Sequence, residues 1–141
     1  MRIVREFDAP PEKVVRAHAD PELIVQWLGP REVTMEIDHF DCRTGGSYRY
    51  LHHRGDEEYG FRCSFHEVRP AELIVQTFTF EGFPDGVALE RLTLGDRGGG
   101  RSRLTATSLV DSFEDSDAVV ASGMEHGVRE GYEVLDELFA R

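Results

Sequence analysis

The chain has 141 residues and a mass of 16.0 kDa, the length of one ordinary domain, 1–141, that can bury a core without disulfides or metals. Its 27 acidic residues against 16 basic ones give a net charge of −11, a balance that repels phosphate backbones and excludes nucleic acid as an expected partner. No apolar run exceeds four residues, and Met1 to Asp8 is charged without an apolar core, so neither a spanning helix nor a signal peptide is expected and a cytoplasmic location is.

Arg2 to Phe7 reads as a short strand, stopped by Asp8-Ala9-Pro10-Pro11. Pro11 suits the first turn of a helix, where its missing N–H costs nothing, and Val14, Val15 and Ala17 continue that helix. Asp20 is placed to cap a second short helix that opens on Pro21 and carries Leu23, Ile24 and Trp27 before Gly29-Pro30 ends it. Six strand-like runs follow: Glu32 to Cys42, Ser47 to His53, Glu58 to Val68, Leu73 to Phe80, Val87 to Leu94 and Arg103 to Val110. Turn residues separate them, and a loop with Gly98, Gly99 and Gly100 precedes the last. Their period of two predicts an antiparallel sheet with one wetted face.

After Val110 the period changes. Ser112-Phe113-Glu114-Asp115 has the spacing of a capping box. From Val120 onward, Met124, Gly127, Val128, Gly131, Val134, Leu135 and Leu138 share one helical face, and Glu125, Glu130, Glu133, Asp136 and Glu137 share the other. This is a long amphipathic helix, the available cover for the sheet's apolar face.

The punctuation is similar to that of a known family. Phe7-Asp8-Ala9-Pro10-Pro11-Glu12-Lys13-Val14, Asp20-Pro21, Trp27-Leu28-Gly29-Pro30, Asp41-x-Arg43-x-Gly45-Gly46 and Gly123-Met124-Glu125-x-Gly127 occur in that order. They resemble the bacterial homologues of the C-terminal domain of the heat-shock-protein-90 ATPase activator, within the START-like (SRPBCC, birch-pollen-allergen-like) superfamily. The resemblance spans essentially the whole chain. It implies an α+β helix-grip fold: a curved antiparallel sheet wrapped around a long C-terminal helix, with two short helices after the first strand. Leu28 stands where the family commonly has a second Trp, and Cys63 where it often has Gly. Members include apolar-ligand binders, polyketide cyclases and dehydratases, a calicheamicin self-resistance protein and a eukaryotic co-chaperone, so the fold alone leaves the function open.

The candidate site is a cavity between sheet and helix. Trp27, Tyr48, Tyr50, Tyr59, Phe61, Phe65, Phe78 and Phe80 are more aromatic surface than a helix of modest side chains can cover, and such residues line small-molecule pockets. His52, Gln76, Glu90 and Ser108 fall on the same inward parities, where an unpartnered polar group costs about 1–3 kcal/mol. His52 beside Glu90 would make an acid–base or orienting pair. The parity of Glu90 is open, and its reversal would turn Val87, Leu89 and Arg91 inward instead. Gly123, Gly127 and Gly131 recur every fourth residue on the helix's apolar face. Each costs about 0.5–1 kcal/mol relative to Ala, so they serve either close helix-to-sheet contact or space for a ligand. The cavity wall is thus assigned to Trp27, Tyr48, Tyr50, His52, Phe61, Phe78, Phe80 and Glu90, with Met124, Gly127 and Gly131 from the helix.

His52 and His53 point to opposite faces of a strand, and no H-x-H, H-x-x-x-H or H-E-x-x-H spacing occurs, so no metal is expected. No nucleotide or phosphate fingerprint occurs, so no cofactor is expected either. Cys42 and Cys63 fall two strands apart, roughly 9–10 Å, too far for a disulfide. The expected function is binding of a small, largely apolar molecule, without membrane partners and with a homodimer possible. A cyclase or dehydratase using cavity acid–base residues ranks below it, because no motif supplies a nucleophile–base pair. A chaperone-associated module ranks third, because the resemblance reaches only the second half of the two-domain eukaryotic activator.

Overall fold

The computed structural model describes residues 1–29, 31–110 and 124–140, with side chains in the last segment from residue 127 onward. The capping-box residues, Val120, Gly123, Pro30 and the side chain of Met124 lie outside the described set. Chain order is β1 (Arg2–Phe7), α1 (Pro11–Ala19), α2 (Pro21–Ile24), β2 (Thr34–Phe40), β3 (Ser47–Arg54), β4 (Glu57–Arg69), β5 (Leu73–Phe80), β6 (Ala88–Gly98), β7 (Arg101–Leu109) and α3 (Met124–Phe139).

Pro11 opens α1 as the sequence predicts, and Val14, Val15 and Ala17 are its buried face. Asp20 ends α1 and caps α2, its carboxylate accepting the Glu22 N–H at 2.9 Å. α2 is shorter than expected. It stops at Ile24, so Trp27 sits in the turn beyond it. Gly29 closes that turn at φ +98°, a conformation that only glycine adopts without strain.

The seven strands form one antiparallel sheet in the order β1-β7-β6-β5-β4-β3-β2. Every neighbouring pair except β1–β7 is consecutive in the chain, so the hairpins β2 to β7 build the sheet by local pairing. β1 and β2 occupy opposite edges, and the α1–α2 segment is the crossover that joins them. β6 and β7 run longer toward their hairpin than the sequence suggests, meeting at Gly98 to Gly100.

Two bulges redirect side chains. Register shifts between Ile37 and His39 and between Phe65 and Glu67 leave Asp38 and His66 as extra residues. Each bulge returns an apolar residue to the inner face one position late: Phe40 after Ile37, and Val68 after Phe65. Phe40 then stacks on Tyr48 with centroids 5.2 Å apart. Bulges also increase local twist, which curls the sheet.

α3 packs on the inner face near β1. Phe7 meets Tyr132 and Phe139 edge-on at 5.7 Å each, and Arg5 pairs with Asp136. The fold is therefore the expected helix grip. Its core falls into two clusters. One joins α1, α2 and α3 to β1 and β7 through Phe7, Val14, Ile24, Trp27, Leu104 and Leu135. The other lies on β3, β4 and β5 around Tyr48, Tyr50, Cys63, Phe65 and Ile74. No helix among the described residues is long and apolar enough to cross a membrane.

Candidate functional site

Between the two clusters lies a cavity of about 630 Å³. It exists because α3 offers little bulk over the middle of the sheet, where Gly127, Val128 and Gly131 form its wall. Opposite them, strand alternation brings in Tyr48, Tyr50 and His52 from β3, and Tyr59, Phe61 and Phe65 from β4. β5 adds Gln76, Phe78 and Phe80, and β6 and β7 add Glu90 and Ser108. Register places Tyr50, Phe61 and Phe80 in line across three strands. Phe61 is the centre of this group, stacked on Tyr50 at 5.1 Å and on Phe78 at 5.6 Å.

The turn after α2 walls one end. Trp27 is 4% exposed. Its indole N–H donates to the Ala17 carbonyl at 3.0 Å, and its ring stacks on Tyr132 at 5.9 Å. Trp27 thus ties the turn to α1 and α3 as well as lining the cavity, as expected of a large aromatic beside a helix end.

Both described glycines of the helix face line the cavity, and Gly131 also serves close approach. A β-carbon on Gly131 would stand 2.9 Å from the Trp27 carbonyl oxygen and 3.3 Å from the Gly29 nitrogen. Gly131 therefore permits close approach, but of α3 to the turn after α2 and not to the sheet. Gly127 lines the cavity.

The polar residues meet the same cavity without forming the pair considered for them. The parity of Glu90 is inward, while Leu89 and Arg91 are exposed. Its carboxylate accepts from the Gln76 amide at 2.8 Å, and the same amide nitrogen lies 3.4 Å from the Tyr48 hydroxyl oxygen. His52 is on β3 and Glu90 on β6, three strand spacings or ~14 Å apart across the sheet, and their rows cross β4 at different places, Tyr59 and Phe65. They share a cavity but not a hydrogen bond, which corrects the expected His52–Glu90 pair. Burial pushes the Glu90 carboxyl up to about 7, opposed by the Gln76 hydrogen bond. Burial holds His52 down to about 4, against the Leu28 carbonyl that favours its charged form. Burial likewise drives the Tyr48 and Tyr50 hydroxyls well above their ordinary range, with Glu90 adding to both. The phenols are donors at neutral pH, not anions.

His18 and Tyr132 are among the lining residues that the sequence did not single out. His18 donates from Nδ1 to the Val14 carbonyl at 2.8 Å, and burial takes its ring down to about 4, so it is neutral. Its signal was its place four residues after Val14 on the buried face of α1. Tyr132 falls four residues after Val128 and three before Leu135, the spacing of a shared helical face. Cys42 and Cys63 are both free thiols, and burial raises the Cys42 thiol to about 11 and moves Cys63 upward as well. Neither is a thiolate nucleophile at neutral pH. Among the described residues no three His, Cys, Asp or Glu side chains converge as a metal site would require.

A protein from Rhodobacter sphaeroides superposes with a TM-score of 0.89 at 26% identity, covering 99% of this chain and 91% of that one. A Chromobacterium violaceum protein gives 0.85 at 26% identity over 98% and 95% of the two chains. A third, from Mycobacterium smegmatis, gives 0.87 at 25% over 97% and 88%. No protein of curated function matches in sequence. Residues 8–140 match the family described as Activator of Hsp90 ATPase homolog 1-like protein. With that match over nearly the whole length and the START-like helix-grip architecture, the chain belongs to this family.

Proposed function

We propose that the protein binds a small, largely apolar molecule in the cavity between α3 and β3–β6. The observation that carries this reading is the volume of about 630 Å³ whose lining includes nine Trp, Tyr and Phe side chains beside aliphatic ones. That is the size and chemistry of small-molecule sites. At ~30 Å³ per heavy atom it holds roughly 20 non-hydrogen atoms. At about 0.3 kcal/mol per atom, such a ligand binds with a Kd on the order of tens of micromolar.

The test is a titration with N-phenyl-1-naphthylamine, an apolar dye that brightens out of water. Trp27 is the single tryptophan and lines the cavity, so energy transfer from Trp27 reports occupancy. Saturable one-to-one binding supports the reading, and its absence from folded protein overturns it.

A second reading rests on Glu90. A buried carboxyl that keeps its proton to about 7 suits general acid–base work near neutrality, as in a cyclase or dehydratase. The phenols of Tyr48 and Tyr50 lie close enough to feel its charge. A ligand found by extraction of the purified protein and returned unchanged after incubation favours binding, and its conversion favours the enzyme.

A further inference from the structure

Two carboxylates line the aromatic cavity: Glu32 is paired with Arg54, whereas Glu90 forms no ion pair among the described residues. From β5, Gln76 gives its single hydrogen bond, to Oε1. The groups close enough to feel its charge are Tyr48 and Tyr50 on β3, Cys63 on β4 and Tyr132 on α3. All four are neutral at pH 7. The nearest arginines are engaged elsewhere or turned outward: Arg54 pairs with Glu32, Arg5 beside Tyr132 pairs with Asp136, and Arg91 stands at an exposed position of β6, while the cavity histidines His18 and His52 are themselves uncharged. Among the described residues no hydrogen bond reaches Oε2, and Glu90 is half-buried, so that atom is open to a ligand in the cavity.

The surrounding wall is the other half of the argument. Tyr48, Tyr50, Trp27, Tyr132 and Phe78 all face the cavity that Glu90 enters. Aromatic faces attract a desolvated organic cation through their quadrupoles. The chain's net charge of −11 favours arrival of cations and disfavours anions.

We propose that the cavity's ligand is an apolar molecule bearing a protonated amine, whose ammonium group pairs with Glu90 while its apolar body packs on the aromatic wall. This rests on the reading of the cavity as a binding site and names the ligand class it takes. The ammonium N–H donates to the free Oε2, and Gln76 holds the carboxylate in place through Oε1.

The experiment uses three probes with one ring system: 1-naphthylmethylamine, 1-naphthylmethanol and 1-naphthylacetate. Calorimetry at pH 6.0 in two buffers of different ionisation enthalpy measures affinity and proton release on the wild-type protein. The amine is expected to bind about ten- to a hundredfold tighter than the alcohol, the range for a charge-assisted hydrogen bond, and the acetate weakest. Amine binding is expected to release close to one proton, which leaves the Glu90 carboxyl, and alcohol binding none. In Glu90→Gln the amine's advantage over the alcohol and its proton release should both vanish.

Equal binding of amine and alcohol without proton release overturns the amine assignment and leaves the cavity reading intact. A tighter acetate overturns it in favour of an anionic ligand. Failure of all three probes and of N-phenyl-1-naphthylamine overturns the cavity reading itself. The wild-type measurements decide the matter even if Glu90→Gln does not fold.

Discussion

The two cavity histidines and Glu90 make opposite demands on protons. His18 and His52 titrate near 4 in the folded protein and near 6.5 when unfolded. As pH falls between those values, the unfolded chain takes up protons that the folded one refuses, so stability declines. Glu90 titrates near 7 folded and 4.5 unfolded. Its contribution is fully present below pH 4.5 and is lost as pH rises to about 7. Between pH 4.5 and 6.5 the terms oppose, each at up to about 1.4 kcal/mol per pH unit. Two histidines against one glutamate leave a net loss on acidification. Glu90→Gln removes the opposing term, so its stability should fall about twice as steeply as wild type across that window. Urea denaturation at pH 4.5, 5.5 and 6.5 checks this, and parallel profiles would contradict the burial of Glu90. The two glycines give a second contrast at this scale. Gly131→Ala forces a β-carbon against the Trp27 carbonyl. It should cost about 1–3 kcal/mol by overpacking and lower dye affinity in the folded fraction less than Gly127→Leu does. Gly127→Leu fills cavity space, so dye uptake should fall sharply with little change in Tm. A strongly lowered Tm with unchanged affinity for Gly127→Leu would defeat the cavity reading.

Elements were more legible in the sequence than the joints between them. β1 and β5 have the boundaries that alternation predicts, and α1 opens where Pro11 places it. The bulges at Asp38 and His66 were the missed part of the sheet. Strict alternation assigns every second residue to one face. The apolar spacing of three in Ile37/Phe40 and in Phe65/Val68 was the available sign that one residue had been inserted. Trp27 was assigned to a helix because its spacing from Leu23 and Ile24 is helical. The chain leaves the helix at Ile24, and the indole gains its partners in the Ala17 carbonyl and Tyr132, contacts no local pattern encodes. The turn is thus an anchor between α1 and α3. Trp27→Ala should remove about 3–5 kcal/mol of stability, whereas Trp27→Phe keeps the ring stack and should lose markedly less. Thermal melts of the two variants check this. Equal small losses would mean that the turn is held by other contacts.

At the scale of the molecule, one structural fact organises the rest. The β1-to-β2 crossover carries α1 and α2 across from one sheet edge to the other, and α3 packs with them near β1 and β7. The aromatic residues of β3 and β4 join Cys63, Ile74 and Val15 of α1 in a second cluster, and the cavity is lined from both clusters. The aromatic lining was readable from strand parity because Tyr48 to His52, Tyr59 to Phe65 and Gln76 to Phe80 lie on unbulged stretches, where the period of two sets the inward positions. The failure of the His52–Glu90 pair was not readable, because strand order across the sheet is a tertiary property. Parity places both residues on one face but says nothing of the strands between them. The account's central claim is that this space holds a ligand. It is tested most directly by a crystal structure of protein purified from its native cells. The account expects continuous density, larger than water, between Gly127 on α3 and Phe61 on β4, with a polar group within hydrogen-bond reach of Glu90. A dry interior in which side chains close the space between α3 and the β3–β5 aromatics would contradict it.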